Sequence, residues 1–157
     1  MPRHAYKSND VSPDPVYESI EVAKLINYLM IDGKKDVSER IVYNTLERIK
    51  AEGEEPLKLL YKAIANVAPN QEVKPRRLGG ASYLVPTEVR RERRLYLALH
   101  WIIEATKTKS NKEFHTFEEK LLSELHEAAK NQGQAVNKRL QAEKLADANK
   151  AFAHLKW

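Results

Sequence analysis

Residues 72–94 read EVKPRRLGGASYLVPTEVRRERR and carry the clearest structural signal in this 157-residue chain. Gly79 and Gly80 suit a two-residue hairpin turn, because both residues can adopt positive φ. After the turn, β-prone residues alternate with the period of a strand, at Tyr83, Val85, Thr87 and Val89. The sequence therefore predicts a β-hairpin over residues 72–89, with its first strand at 72–78.

Two prolines limit the size of the sheet that this hairpin can join. Pro75 and Pro86 each lack a backbone N–H, so neither strand can be central in a larger sheet. We therefore expect an isolated two-stranded ribbon, which is marginally stable alone in water. Its basic residues suggest that it lies against RNA when it is ordered.

Apolar residues at three- and four-residue spacings predict helices on both sides of the ribbon. The predicted helices cover about 16–31, 36–51, 56–67, 92–108, 116–133 and 135–148. Capping boxes are expected at Asp36 with Glu39 and at Thr116 with Glu119. The predicted fold class is mainly α, a six-helix bundle-like body with a protruding two-stranded β-hairpin between helices three and four.

The remaining segments predict one domain over residues 1–157, flanked by tails. Residues 1–15 end in Ser-Pro-Asp-Pro, which favours an extended N-terminal tail. Residues 149–157 form a C-terminal tail ending in Trp157, which either packs on the body or stays loose until a partner binds. No repeat of fixed period interrupts this organisation.

Positive charge is concentrated in three parts of the chain. Residues 73–94 hold seven lysines and arginines against two glutamates, a net charge of +5. Residues 130–157 hold six basic against two acidic residues, a net charge of +4, and the first ten residues add +1. The whole chain is also +5, so the remainder is acidic. Such segregation is typical of a protein that binds a polyanion with its edges.

The sequence offers little support for catalysis or for a cofactor. It has no cysteine, and none of its five histidines are spaced i, i+4 as in a helical metal site. Gly33-Lys34-Lys35 ends like a phosphate loop, but the upstream glycine is missing, which favours a helix-connecting turn. No apolar run approaches the length of a membrane span, and the start of the sequence lacks the apolar run of a signal peptide. We expect a soluble intracellular protein that is not an enzyme and has no metal or cofactor.

The arginines at 90, 91, 93 and 94 oppose the dipole at the start of a predicted helix. This placement costs local stability unless anions neutralise them, which favours phosphate binding. Arg76 and Arg77 have the same preference, because guanidinium binds phosphate as a fork. Tyr83 is expected either to stack on a base or to cover the ribbon, and His100 and Trp101 to lie in the core or at its edge.

Several stretches resemble one known family, the bacterial-type small-subunit ribosomal protein number seven. They are LMIDGKK (29–35), ERIVY (39–43), the ribbon and arginine run (72–94), AVNKR (135–139) and ANKAFAH (148–154). Their order and spacing match the family over nearly the whole chain.

The resemblance implies a helical body with a protruding hairpin that binds the 3′ major domain of small-subunit ribosomal RNA. It implies a role in organising the head during assembly, with the hairpin near exit-site transfer RNA and messenger RNA. The implied partners include neighbouring small-subunit proteins, and the implied location is the cytoplasmic ribosome of a bacterium or an organellar ribosome. The implied RNA contacts are Arg3, Lys7, Lys34, Lys35, Lys74, Arg76, Arg77, Arg90, Arg91, Arg93, Arg94, Lys138 and Arg139. The implied tip near transfer RNA is Gly79, Gly80, Ala81, Ser82 and Tyr83.

Three features depart from the family, and two other functions stay open. The N-terminus is poor in arginine, and the connection at 107–116 is a few residues longer than usual, so the family's contacts are not carried over to these segments. The net charge of +5 is also low for the family, so we expect RNA affinity to depend more on the ribbon. A DNA-binding module would use helix six, with exposed Asn137, Lys138, Gln141 and Lys144. A nuclease would need a carboxylate cluster near the basic surface, and the sequence shows none.

Overall fold

The computed structural model describes residues 11–155. Its α-helices are α1 (Ile20–Leu29), α2 (Lys35–Ala51), α3 (Pro56–Val67), α4 (Arg91–Thr108), α5 (Phe117–Ala129) and α6 (Gln134–Ala148). The strands β1 (Gln71–Leu78) and β2 (Ala81–Glu88) lie between α3 and α4, and a 3₁₀ helix (Lys150–Leu155) follows α6. The predicted fold class, six α-helices with a hairpin between the third and fourth, is confirmed.

The first helix is shorter than predicted because a buried aspartate holds the chain in a turn before it. The Asp14 carboxylate accepts hydrogen bonds from the backbone N–H groups of Val16 and Tyr17. It also accepts the Tyr43 hydroxyl at 2.6 Å, and burial together with this bond raises the pKa of Tyr43. The last residues of the predicted tail are therefore attached to α2, and α1 begins only after its Ser19 cap.

One of the two predicted capping boxes is wrong and the other is confirmed. A left-handed turn at Asp32 and Gly33 brings the chain into α2 at Lys35, so Asp36 already lies inside the first turn and cannot cap it. At α5, the Thr116 side chain accepts from the Glu119 N–H at 3.3 Å, and the Glu119 carboxylate accepts from the Thr116 N–H.

The core lies between α1, α2, α3, α4 and α5, whose inward faces are aliphatic. Helix α5 packs against α2, α3 and α4, which makes it the centre of the body. The largest fully buried apolar side chains of the five helices are Leu25, Ile26, Leu46, Ile49, Leu60, Leu99, Ile102, Leu121 and Leu125.

A polar cluster closes the α4–α5–α6 corner. Glu124 is fully buried, its Oε2 lies 3.2 Å from Lys109 Nζ, and its Oε1 accepts from the Ala135 N–H at the start of α6. Gly133 has φ +92° there, and a Cβ on it would lie 3.0 Å from Glu124 Oε1. Lys120 donates to the Lys109 carbonyl. The long 107–116 connection is thus bonded to the body at its first residues.

The ribbon has the predicted turn and two strands, and it packs against the C-terminal part of the chain. Its register runs from Gln71 opposite Glu88 to Leu78 opposite Ala81, and Gly79 and Gly80 have φ of +55° and +90°. Strand β1 packs against α6, and β2 packs against the 3₁₀ helix. The prediction of a two-stranded ribbon is confirmed, because no third strand joins it within residues 11–155. The ribbon is nevertheless in contact with the body, because the C-terminal residues turn back after α6 and pack against it.

Candidate nucleic-acid interface

The start of α4 presents arginines where the helix dipole is positive. Arg90 is the N-cap residue, in extended conformation and without a side-chain capping bond, and Arg91 is the first helical residue. Glu92 is the acidic residue of this first turn. Both arginines are exposed. The local electrostatics therefore favour an anion at this position.

A polar cleft joins the base of the ribbon to the start of α4. It has a volume of about 560 Å³ and is lined by Glu72, Val73, Lys74, Glu88, Arg90 and Arg93. Glu72 neutralises two of its cations, with Lys74 Nζ at 3.3 Å and Arg93 Nε at 3.4 Å. The Arg93 guanidinium also lies over the Tyr96 ring, 5.0 Å from its centre. The cleft thus brings together three predicted RNA contacts and holds two of them in place.

Three exposed arginines of the ribbon and the α4 start keep their charge unneutralised. Within residues 11–155, no carboxylate lies at ion-pair distance from Arg77, Arg90 or Arg91, and all three are exposed. Arg76 is half-buried and has an interaction partner of its own. Because a free guanidinium on the surface needs no internal bond to be broken, these three residues are the most available to an anionic ligand.

The C-terminal pair of predicted contacts is held by carboxylates of the body. Lys138 Nζ lies 2.5 Å from Glu104 Oε1, and this hydrogen bond holds the pKa of the Glu104 carboxyl below its ordinary value. Arg139 donates to the Asn131 side chain at 3.3 Å and lies 3.9 Å from the Glu143 carboxylate. An RNA phosphate would have to compete with these partners, so we expect smaller contributions from both residues.

The remaining predicted contacts lie elsewhere or outside the described residues. Lys34 and Lys35 are exposed at the α1–α2 turn, and Lys35 pairs with Glu39 at 3.4 Å. Within residues 11–155, no ion pair links Lys34 or Lys35 to the ribbon. Arg3 and Lys7 lie outside residues 11–155, as does Trp157.

The tip of the ribbon is exposed on its glycine side and covered beside Tyr83. Gly79, Gly80, Ala81 and Ser82 are exposed. Tyr83 is half-buried, and its ring centre lies 5.3 Å from that of Phe152 in the 3₁₀ helix. Of the two interpretations of Tyr83, this geometry favours the one in which it covers the ribbon.

Of His100 and Trp101, which the sequence placed in the core or at its edge, only Trp101 lies there, and other residues of the site were missed. Trp101 packs at the edge of the core as expected, but His100 is exposed and stacks on Tyr96 at 5.4 Å between ring centres. Tyr96 and His100 are spaced i, i+4 after the arginines, which was a signal available in the sequence. The contacts of Glu72 with Arg93 and of Phe152 with Tyr83 join distant segments, and no local pattern indicated them.

Two absences hold for the described part of the chain. Between residues 11 and 155 there is no group of three histidines or carboxylates arranged to hold a metal ion. No described helix is both long and apolar enough to cross a membrane.

The chain matches the sequence model of the family described as ribosomal protein S7p/S5e over residues 1–150. The chain belongs to this family. It is 47% identical over 159 residues to the small ribosomal subunit protein uS7 of Sulfurihydrogenibium sp., with both chains fully covered. It is 48% identical to the protein of the same description in Paracoccus denitrificans, covering 99% of this chain and 98% of the relative.

Another relative, from Thermodesulfovibrio yellowstonii, has the same description and is 47% identical over the full length of both chains. The resemblance that the sequence motifs indicated is therefore confirmed. S7p/S5e is a family of ribosomal structural proteins and not of enzymes. A structural role in the ribosome would explain the arginines of the ribbon and of the α4 start.

Proposed function

We propose that this chain is a structural protein of the small ribosomal subunit that binds the 3′ major domain of its RNA. It helps to organise the head of the subunit during assembly, and it has no catalytic step. The observation that carries the proposal is the group of exposed, unneutralised arginines at the ribbon and at the α4 start, Arg77, Arg90 and Arg91. The family membership and the descriptions of the relatives support the same conclusion.

The cleft between the ribbon and α4 explains how RNA would be positioned. Arg90 and Arg91 would hold phosphates at the end of the helix where the dipole attracts them. Arg93 is already fixed by Glu72 and Tyr96, so it loses little freedom on binding. Phosphate contacts of this kind fix orientation, and specificity would come from RNA shape and unpaired bases.

The tip of the ribbon serves a second contact in this proposal. Its exposed glycines let the backbone approach a ligand closely, and the tip would lie near exit-site transfer RNA and the messenger RNA path. Neighbouring small-subunit proteins complete the surroundings. The bacterial relatives support a place in the cytoplasmic ribosome of a bacterium.

The test is a titration of the purified protein against a transcript of the 3′ major domain. A scrambled RNA of equal length is the control, and both are measured at two or more salt concentrations. We expect preference for the real domain to persist at the higher salt. Each phosphate contact contributes roughly 0.7–0.9 to the slope of log affinity against log salt concentration.

A triple variant locates the binding surface. Replacing Arg77, Arg90 and Arg91 with glutamine should lower the salt slope by about 2 if each contacts one phosphate. The matched control replaces three exposed lysines outside the predicted set, Lys50, Lys62 and Lys130. Equal losses in the two variants would mean that only net charge matters, and the proposed surface would be wrong. Equal affinity of the wild type for real and scrambled RNA would refute the proposed function itself.

A further inference from the structure

A second groove lies beside the basic surface, between α1, α3 and the first turns of α4. Its volume is about 530 Å³, and its walls are largely apolar, formed by Ile20, Tyr61, Ile64, Ala65, Ala68 and Leu95. Ile20 is 45% exposed and Tyr61 is 42% exposed. None of these residues was predicted from the sequence to contact RNA. Two large apolar side chains are thus left facing solvent across one cavity.

The wall formed by Tyr61 is rigid. Its hydroxyl donates to the Ser19 side chain at 3.0 Å, and the same Ser19 oxygen accepts the Val22 N–H at the start of α1. The ring therefore cannot swing away without breaking a bond to the helix cap. A fixed ring beside an apolar trough is a surface on which a flat group can stack with little entropic cost.

The rim of the groove is positively charged and adjoins the proposed RNA surface. Lys24, Arg91 and Arg94 line it together with Glu21 and Glu92. Arg91 and Leu95 are one turn apart on α4, so the cation stands directly above the apolar wall. The Arg94 Nε is buried and has no acceptor among the described residues, which leaves a donor for a ligand to satisfy.

We propose that this groove receives an unpaired nucleobase of the bound RNA, with its phosphate held by Arg91 and Arg94. The inference rests on the proposed function and adds one part of the RNA, an unpaired nucleobase, that the protein would bind. A nucleobase presents an apolar face to Tyr61 and Leu95 while its backbone carries the negative charge that the rim attracts. The size of the groove is within the range of pockets that hold small ligands.

An extended peptide of a neighbouring protein fits the groove less well. The walls are helices, whose backbone N–H and C=O groups are already bonded within each helix. A peptide would bury its own backbone groups there without replacing their bonds to water. A base needs only stacking and edge contacts to side chains.

The test narrows the groove without touching the arginines. Ala65 is exposed on α3 and lines the groove, so Ala65→Leu adds an aliphatic side chain that offers no ring for stacking. The matched control is Ala51→Leu, at the exposed end of α2. Circular dichroism and urea unfolding check that both variants fold. The readouts are affinity for the 3′ major domain transcript at two salt concentrations and nucleotide-resolution acylation of the RNA.

Loss of one stacked base should weaken binding roughly tenfold. The loss should be equal at both salt concentrations, because no phosphate contact is removed. The wild type should alter the acylation of one or two unpaired nucleotides, and Ala65→Leu should restore their free reactivity while the rest of the footprint stays.

Three results separate the possible failures. If Ala65→Leu matches the wild type in affinity and footprint while the wild type still prefers the real domain, the groove holds no base and only this inference fails. If that variant binds RNA normally but joins reconstituted small subunits poorly, the occupant is a protein, which also overturns the inference. If the wild type shows no preference for the real domain, the proposed function fails first.

Discussion

The two halves of the β-ribbon have the same strand pairing but opposite surroundings. Near the body, Val85 is fully buried and Thr87 is 9% exposed. Near the turn, Gly79 to Ser82 are exposed. The ribbon packs against α6 and the 3₁₀ helix, and towards the tip the Tyr83 ring lies against Phe152. One half of the ribbon therefore contributes to folding, and the other is left available to a ligand.

This difference shows how a two-stranded ribbon becomes a usable arm. Alone it is marginal in water, because two strands bury little apolar surface. Anchoring the base adds apolar burial without occupying the tip, so Arg77 can be presented in a defined direction. Pre-organisation of this kind lowers the entropy lost on binding.

The largest expected effect comes from a charge at the base. Val85→Asp places a carboxylate where no solvent reaches, so we expect the free energy of unfolding to fall by about 3 kcal/mol or more. Urea unfolding measures it. Leu84→Asp, on the adjacent residue that is 38% exposed, should change stability by at most about 0.5 kcal/mol. Similar losses in both variants would mean that the base is not buried in solution.

A smaller effect should follow from removing the aromatic contact between the C-terminal 3₁₀ helix and the ribbon. Phe152→Ala removes the ring that lies against Tyr83, and we expect a local loss of about 1 kcal/mol. Native-state hydrogen exchange should show faster exchange of β2 amides while the amides of α5 stay protected. The control is His154→Ala, an exposed residue of the same 3₁₀ helix. Unchanged β2 exchange in Phe152→Ala would show that this contact does not hold the ribbon.

At the turn, the expected effect is strain confined to the tip. Gly80 has φ +90°, and a Cβ there would meet nothing within 4 Å, so Gly80→Ala should cost about 1 kcal/mol through the backbone alone. Amide exchange and NMR shifts should change around the turn and leave the base unaltered. Ser82→Ala, exposed and two residues away, should leave both unchanged. Spread of the perturbation to Val85 would contradict the independence of the two halves.

The smallest effect on stability is expected at Arg77. Arg77→Gln removes an exposed, unneutralised charge, so the free energy of unfolding should stay within about 0.5 kcal/mol of the wild type. The slope of log RNA affinity against log salt concentration should nevertheless become shallower by about 0.7–0.9. Lys62→Gln supplies the charge-matched control in both measurements. A stability loss at Arg77 comparable to that of Val85→Asp would show that the tip also supports the fold.

The sequence predicted the elements well where local chemistry decides them. Periodic apolar residues located the six helices, and the glycine pair located the turn. The Thr116 box formed as predicted because its two bonds join residues three apart. The Asp36 box did not form, because the turn at Gly33 placed the cap of α2 at Lys34, two residues earlier. Helix starts depend on the preceding turn as well as on the capping residue.

The sequence predicted which charged residues belong to the candidate site but not how they are arranged in space. The sequence located the arginines of the ribbon and of the α4 start. It contained no information that Glu72 would hold Arg93, or that Glu104 would hold Lys138. It also did not indicate the groove beside Tyr61, which forms only when α1, α3 and α4 pack together. These ion pairs and this groove join residues that are distant in the chain.

By itself, the sequence determined the mainly helical fold, the hairpin, the family and the segregation of positive charge. These properties follow from periodicity, turn chemistry and residue order, which act over a few residues at a time. Only the tertiary structure decided which end of the ribbon is anchored, which cations stay free and where an apolar groove remains open. Those outcomes depend on how the distant segments meet, and above all on the return of the 3₁₀ helix to β2.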